Sequence, residues 1–152
     1  KHHSHVGFSM DVEGKDSWRH RESGSRYTVV ASPDQLGCVR TLAEELPVEQ
    51  IISEMSAAAR DAQGRSELDI ILVEGYRASG LPAIELFRAD NPNDATRPFD
   101  PALPGLMAVA TDQTRIVAAA TDADIPVFLL DDPVALANFI QTHLCPPEGR
   151  AR

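Results

Sequence analysis

The sequence is poor in cysteine and in basic residues, and each scarcity excludes a class of protein. Its 152 residues include two cysteines, Cys38 and Cys145, whose separation fits no zinc or redox motif. Lysine and arginine total 14 against 23 acidic residues, which gives a net charge of −9. Non-specific binding of nucleic acid requires a basic surface, so we expect no nucleic-acid partner.

The sequence also lacks a long apolar run. No stretch approaches the roughly 18 apolar residues of a membrane span, and no apolar core of a signal peptide follows the basic N-terminus. The scarcity of cysteine is typical of a reducing compartment. We therefore predict a cytoplasmic protein without membrane contact. Because residue 1 is lysine rather than methionine, we also expect a processed or truncated chain.

The clearest positive pattern is the apolar run at residues 68–73, which ends at Glu74-Gly75. A short continuous run of this kind predicts a central strand that is buried on both faces of a parallel sheet. Ligands of α/β proteins bind beyond the carboxyl ends of such strands, so Glu74 is a candidate site residue. The alternative is that Glu74 only ends the strand in solvent.

Strand and helix patterns alternate along the rest of the chain and predict an α/β fold. Residues 89–105 carry four prolines and predict a long loop that is functional or mobile. Met55 is predicted to pack in the core. The predicted strands are 27–31 and 36–42, which form a hairpin, then 83–88, 106–110 and 127–130; the predicted helices are 18–23, 47–62 and one that begins at Pro133.

The motif GKDS at residues 14–17 partly matches a phosphate-binding loop, G-x-x-x-x-G-K-[ST], without meeting its pattern. The preceding glycine lies too far upstream, and Asp16 stands at the Ser/Thr position. We predict instead that Asp16 or Ser17 caps helix 18–23. The basic side chains around Lys15 are interpreted either as phosphate contacts or as an ordinary solvated helix face.

Three of the five histidines, His2, His3 and His5, lie in the polar segment at the start of the chain. We interpret them as the remnant of an affinity tag or as part of a solvated loop. A metal site is the alternative, since imidazole ligates zinc and similar ions, but no cysteine or second histidine pair nearby completes a ligand set.

Three segments taken together resemble one known family. They are Lys1-His2 to His5 with residues 14–17, residues 68–76 with 83–88, and residues 106–112 with 127–133. In this order and spacing they resemble molybdopterin-guanine dinucleotide biosynthesis protein B (MobB), a phosphate-loop nucleotide-binding family. The resemblance covers nearly the whole chain, so we expect one MobB-like domain at residues 1–144 and a disordered tail or linker at 145–152.

The resemblance implies a three-layer, P-loop NTPase-like α/β fold with a mostly parallel central sheet. It also implies GTP and Mg²⁺ as cofactors, weak GTP hydrolysis and a homodimer. The implied role is to assist the molybdopterin-guanine dinucleotide nucleotidyltransferase, the partner that attaches GMP to molybdopterin. The family's first strand, Walker-A phosphate loop and first helix have no counterpart in this sequence. We therefore expect an N-terminally incomplete fold that is inactive alone.

The resemblance also assigns residues to the catalytic and metal sites. Glu74 matches the acidic end of the Walker-B-like strand and is implied as the catalytic and Mg²⁺-binding residue. Gly75 would let the γ-phosphate approach the backbone. Asp11 is implied as a second metal-binding carboxylate.

Four further residues are implied to bind the nucleotide. Lys15 and Asp16 lie in the most distinctive motif, and Lys15 would pair with phosphate. Thr111 and Asp112 end a strand at the position where such folds read the base, and a carboxylate there would accept hydrogen bonds from guanine. The alternative for Asp112 is a loop cap.

Two other functions remain open from the sequence. A non-catalytic adaptor would dock the nucleotidyltransferase or a molybdoenzyme without using nucleotide, and the absent phosphate loop favours this function for the chain as given. A small-molecule kinase would need an acceptor pocket that the sequence does not identify. A phosphate loop upstream of Lys1 would favour GTP binding.

Overall fold

The computed structural model describes residues 1–2 and 11–145. The predictions for His3, His5 and residues 146–152 fall outside the described residues. The chain divides into two compact units, Lys1–Gly75 and Tyr76–Arg152. In the described part of the chain, no helix combines the length and the hydrophobicity that crossing a bilayer requires.

The described part of the first unit contains two helices and one antiparallel hairpin. The predicted hairpin is confirmed: Tyr27 pairs with Arg40 and Ala31 with Leu36. The turn between the strands closes where the Ser32 N–H donates to the Gln35 carbonyl at 2.8 Å. In chain order the elements are α1 (Asp16–Glu22), β1 (Tyr27–Ala31), β2 (Leu36–Arg40) and α2 (Val48–Ala58).

Helix α1 begins earlier than the sequence predicted. Lys15 is its N-cap residue, with an extended backbone and no side-chain cap. The prediction that Asp16 or Ser17 caps the helix is therefore wrong. Asp16 lies instead in the first turn, where a carboxylate favours the partial positive charge of the helix N-terminus.

The run at residues 68–73 forms no strand, so the prediction of a buried central strand is wrong in this chain. Ile70 is 41% exposed and Leu72 is 78% exposed. A strand needs partners for its backbone N–H and C=O groups, and no strand among the described residues pairs with this run. Met55 was predicted to pack in the core but is 46% exposed, because no described element of its unit covers it.

The second unit is built around a parallel three-stranded sheet with the order β3-β4-β5. Phe87 of β3 lies opposite Thr111 of β4, and Val109 of β4 lies opposite Val127 of β5. Helices connect the strands, as parallel pairing requires. The elements are β3 (Ala83–Phe87), α3 (Pro92–Thr96), β4 (Leu106–Thr111), α4 (Thr114–Asp122), β5 (Val127–Phe128) and α5 (Pro133–Leu144).

The core of the second unit lies where β3 and β4 meet α4. Phe87, Val109, Ile116 and Ala120 form one buried cluster, on which Phe99 packs. Alternate residues of a strand point to opposite faces, and four consecutive residues from Ala108 are buried. Strand β4 is therefore covered on both faces, as a central parallel strand should be. The predicted α/β class is confirmed.

Two elements of the second unit were not predicted. Helix α4 fills the interval after β4, and α3 interrupts the proline-rich segment 89–105. Asn91 caps α3 by accepting a hydrogen bond from the Asn93 N–H at 3.1 Å. Leu103 is 7% exposed, so the segment that was expected to be functional or mobile contributes to the core.

Candidate functional site

Glu74 carries an exposed carboxylate at the end of the first unit. Its side chain is 69% exposed and forms an ion pair with the Lys1 ammonium. The Lys1 ammonium also donates a hydrogen bond to the carboxylate, and this bond together with the charge of Lys1 lowers the pKa of Glu74. The His2 N–H donates to the Glu74 carbonyl at 2.7 Å, which fixes the backbone of the two segments side by side. The predicted catalytic residue is therefore ionised and accessible to solvent.

Gly75 occupies a position that no other residue fits without a change in the backbone. Its φ is +92°, in the left-handed region that favours glycine. A Cβ at this position would lie 2.7 Å from the Cβ of His2. His2 is held in place by its Nε2, which lies 2.9 Å from Glu45 Oε1. Close approach to the Gly75 backbone is thus a built feature of the first unit.

The segment 11–17 presents two of the sequence-predicted site residues to solvent. Lys15 and Asp16 are exposed, and no described residue pairs with either side chain. Asp11 Oδ1 accepts hydrogen bonds from the Val12 N–H and from Ser17 Oγ, both at 2.9 Å. Asp11 thereby fixes the start of α1. Its implied role as a metal ligand stays a prediction.

The described residues hold no cluster of three His, Cys, Asp or Glu side chains that could bind a metal ion. The implied carboxylates, Glu74 and Asp11, fit Mg²⁺ only as it is usually bound with a nucleotide. In that form one or two carboxylates act together with water and phosphate oxygens. Glu74 is the implied carboxylate that the structure places in solvent.

Thr111 and Asp112, the implied base-reading pair, lie in the second unit with very different surroundings. Thr111 is fully buried, and its Oγ1 accepts a hydrogen bond from the Gln113 N–H at 3.0 Å. Asp112 is exposed, and its Oδ1 accepts from the Ala89 N–H at 2.6 Å. Of the two, Asp112 alone offers a polar oxygen at the surface, and one of its oxygens already caps the loop after β3.

The structure also shows a group of charged residues that the sequence analysis missed. We call Arg77, Glu85, Asp94 and Arg97 the Glu85 cluster. Glu85 lies in the middle of β3 and is 5% exposed. Its Oε1 accepts from Arg77 Nε at 2.7 Å and from Arg97 Nη1 at 3.2 Å. A glutamate within the otherwise apolar strand AIELF was the signal that could have revealed it.

Arg97 joins the two carboxylates of the Glu85 cluster. Its Nε donates to Asp94 Oδ1 at 3.0 Å, and its guanidinium lies 3.8 Å from the centre of the Phe87 ring. Asp94 also accepts from the Arg88 N–H at 3.0 Å. This backbone hydrogen bond, followed by the charge of Arg97, lowers the pKa of Asp94.

The first unit contains one open cavity of about 460 Å³ between the hairpin and the start of α2. None of the sequence-predicted site residues lines it. Arg40, at its edge, is held by Glu54 through hydrogen bonds of 3.0 and 3.2 Å. The lining includes Arg26, Tyr27, Leu42, Leu46 and Gln50.

Comparison with known proteins gives one family and two relatives. The family model described as molybdopterin guanine dinucleotide synthesis protein B, MobB, matches residues 1–112. A molybdopterin-guanine dinucleotide biosynthesis adapter protein of Haemophilus influenzae is 28% identical over 110 residues, which are 72% of this chain and 55% of that protein. The protein of the same name from Escherichia coli is 30% identical over 142 residues, 91% of this chain and 71% of that protein.

Proposed function

The chain belongs to the MobB family of molybdopterin guanine dinucleotide synthesis proteins, and we propose on this basis that it is part of a GTP-binding accessory protein. The observation that carries the proposal is the family match over residues 1–112, which includes the GKDS motif, Glu74-Gly75 and Asp112. The family and the parallel sheet together fit the P-loop-like α/β class that the sequence predicted.

The proposed role is to assist the nucleotidyltransferase that forms molybdopterin guanine dinucleotide. Both relatives carry the name of adapter in this biosynthesis, which supports a role in assisting a partner enzyme. We place the protein in the cytoplasm and take GTP with Mg²⁺ as its cofactors. A weak GTP hydrolysis by the full-length protein completes the proposal.

The geometry around Glu74 supports its proposed part in binding Mg²⁺ and positioning water. The carboxylate is ionised and exposed, and among the described residues it is paired with one flexible side chain, that of Lys1. A metal ion with its phosphate oxygens could displace this exposed ion pair at little cost, because such pairs contribute little to stability. Gly75 keeps its proposed role beside the γ-phosphate, although His2 occupies the space where a Cβ at Gly75 would lie. Lys15, Asp16, Asp11 and Asp112 keep their proposed nucleotide and metal roles. Thr111 is fully buried, so its proposed role is limited to ending β4 beside Asp112.

GTP binding of the proposed kind also requires a phosphate cradle. The printed sequence contains no G-x-x-x-x-G-K-[ST] motif, and we propose that the natural protein supplies this loop upstream of the MobB-like domain at residues 1–144. The exposed apolar run at residues 68–73 supports the proposal, because a buried partner strand would cover it.

A homodimer is the proposed assembly. The hairpin exposes apolar side chains on both faces, with Val29 at 49% and Val30 at 57% exposure. Exposed apolar surface of this kind is typical of a protein–protein interface.

Calorimetric titration with GTP·Mg²⁺ tests the proposal. We expect the 152-residue chain to bind weakly or not at all and a version extended upstream to its natural start to bind tightly. Glu74→Gln in the extended protein should lower GTP hydrolysis, whereas Glu67→Gln, the same change at another exposed glutamate of the first unit, should not.

The adaptor that uses no nucleotide is the second candidate, and the printed names of the relatives favour it. Titration of the purified nucleotidyltransferase against the extended protein, with and without GTP·Mg²⁺, separates the two. Binding of the partner without nucleotide, together with no detectable GTP binding, would establish the adaptor and end the GTP proposal.

A further inference from the structure

Arg77 presents its positive charge to solvent from a buried anchor. Its Nε donates to Glu85 Oε1 at 2.7 Å. The Glu85 side chain is 5% exposed, whereas the Arg77 side chain is 48% exposed. The guanidinium is therefore fixed along its inner edge and open along its outer edge. No described residue accepts a hydrogen bond from its terminal Nη groups.

Arg97 shares the same carboxylate oxygen but has no comparable open edge. Its Nε, Nη1 and Nη2 bond to Asp94, to Glu85 and to the Leu86 carbonyl. Its face lies over the Phe87 ring. The donors of Arg97 are therefore bonded within the fold. In the Glu85 cluster it is Arg77 whose terminal donors remain available for a ligand.

The pairing of Arg77 with Glu85 is one-point rather than bidentate. Both arginines bond to Oε1, while Oε2 is buried and has no partner among the described residues. A bidentate pair would have occupied a terminal amino group of Arg77 as well. The one-point bond leaves that group free for another acceptor, and its orientation is already set by the fold.

Arg77 keeps its own positive charge, so the ligand that suits its open edge is an anion. Two buried carboxylates, Glu85 and Asp94, lie among three guanidinium groups. Arg115 is the third, and its Nη2 donates to the Asp94 carbonyl at 2.6 Å. The hydrogen bond to Glu85 raises the pKa of Arg77, and the charge of Asp100 adds to this effect. The guanidinium therefore stays charged, and since three guanidinium groups face three carboxylates, the open terminal donors of Arg77 rather than any net positive charge select the ligand.

We propose that the terminal amino groups of Arg77, oriented by the buried carboxylate of Glu85, form an oxyanion site for the phosphate group of a small-molecule ligand. The planar fork of a guanidinium matches phosphate oxygens in two parallel hydrogen bonds. Glu85 acts as a positioning residue, since it fixes the plane of the guanidinium before the ligand arrives. The site lies within the second unit and goes beyond the proposed function, because it stands whether or not the phosphate belongs to a nucleotide.

The test uses the 152-residue chain and sodium pyrophosphate as the probe. The Nε–Hε signal of Arg77, assigned by its loss in Arg77→Lys, should shift and saturate on titration by NMR. Arg77→Ala should weaken pyrophosphate binding at least about tenfold in calorimetry, the loss of a charge-assisted pair. Glu85→Gln, which keeps the shape but not the charge, should weaken it several-fold.

Arg65→Ala is the matched control. Arg65 Nε donates to Asp61 Oδ2 at 2.7 Å, the same donor and distance, but the Asp61 side chain is 22% exposed rather than buried. Pyrophosphate affinity should be unchanged in this variant. Equal losses of pyrophosphate affinity in Arg65→Ala and Arg77→Ala would overturn the proposal. They would show that the affinity depends on the net charge of the chain rather than on the anchored guanidinium.

Two further outcomes separate orientation from charge, and this site from GTP binding. Wild-type affinity in Arg77→Lys would show that the anchored fork is not needed and would overturn the proposal even if Glu85→Gln fails to fold. A second result would overturn the oxyanion site while the proposed function stands. In that result the upstream-extended protein binds GTP·Mg²⁺ equally well with and without Arg77→Ala, and pyrophosphate does not bind at Arg77. Pyrophosphate binding at Arg77 with no GTP·Mg²⁺ binding would establish the oxyanion site and end the GTP proposal.

Discussion

The two units of the chain are similar in length and in local pattern, but they differ sharply in what they bury. In the first unit Val48 is the one hydrophobic residue buried among those described. The second unit buries Phe87, Leu103, Ala108, Val109, Ala110, Ile116 and Ala120. Secondary structure therefore forms in both units, while a core forms only in the second.

Strand pairing explains the difference. Strand β4 has a neighbour on each side, and α4 covers the face that carries Val109. The hairpin of the first unit has two strands, and consecutive residues of β1, Val29 and Val30, are both about half exposed. A two-stranded hairpin is at best marginally stable in water. An apolar pattern thus yields a core only where enough strands and helices lie together to cover it.

The largest expected effect comes from truncation of the core of the second unit. Phe87→Ala removes a fully buried ring and should lower the free energy of unfolding of that unit by about 3–5 kcal/mol. Leu72→Ala in the first unit removes a side chain that is 78% exposed and should change stability by less than about 0.5 kcal/mol. The single tryptophan, Trp18, reports unfolding of the first unit by fluorescence, and hydrogen exchange of β4 reports the second.

Hydrogen exchange in the unmodified chain is the control for this comparison. Amides of β4 should exchange most slowly and amides of residues 68–73 among the fastest, since the latter have no strand partner among the described residues. Slow exchange at 68–73 in the isolated chain would contradict the difference between the units.

Two glycines with nearly the same φ sharpen the comparison at a smaller scale. Gly14 has φ +83° with no described residue within 4 Å of where a Cβ would lie, and Gly105 has φ +81° with the Leu81 carbonyl oxygen in the place of a Cβ. Gly14→Ala should cost about 1 kcal/mol, the strain of a left-handed alanine. Gly105→Ala adds a clash with backbone and should cost more than about 2 kcal/mol.

The measurement is the urea midpoint of each variant, read by Trp18 fluorescence for Gly14→Ala and by hydrogen exchange of β4 for Gly105→Ala. Since the two glycines have nearly the same φ, the difference between the variants reports mainly the packing around Gly105. Equal losses would mean that the second unit is no more tightly packed at this turn than the first.

Sequence patterns predicted the strands of the second unit and the hairpin of the first, but not the outcome for the apolar run at residues 68–73. The strand that begins at Ala83 and the strand at Leu106–Thr111 were both found, because their apolar residues meet partners within the unit. The run at residues 68–73 has the same kind of pattern, yet no described strand forms a ladder of hydrogen bonds with it. Hydrophobic periodicity indicates which residues of a segment could be buried, but strand pairing determines whether they are buried.

The candidate site was predictable only in part, for a related reason. Glu74 and Asp112 follow apolar runs, so position along the sequence was enough to select them. The Glu85 cluster brings together residues separated by up to 20 positions, and no local motif encodes that contact. Glu85 can remain buried because Arg77 and Arg97 donate hydrogen bonds to its carboxylate. These two arginines reach Glu85 only through the tertiary fold.

The smallest expected effect is a difference in acid sensitivity between Asp94 and Asp61. The pKa values of both are lowered in the folded chain, Asp94 first by the Arg88 N–H and Asp61 first by the Arg65 N–H. A lowered carboxyl pKa stabilises the fold above the unfolded value of about 4, and this stability is lost as pH falls through the folded pKa. Both units should therefore lose stability on acidification below about pH 4.

Asp94→Asn and Asp61→Asn should divide that loss unequally between the units. Asp94 ties α3 to the end of β3, contacts that exist only in the folded unit, so Asp94→Asn should visibly flatten the fall in the urea midpoint of the second unit between pH 6 and pH 3. Asp61 bonds to Gln63, Gly64 and Arg65, near neighbours that keep part of these contacts in a frayed chain. Asp61→Asn should leave the Trp18 transition of the first unit nearly unchanged in its pH dependence. An equal flattening in both units would show that the local turn around Asp61 is as fully tied to folding as the core-lining carboxylate of Asp94.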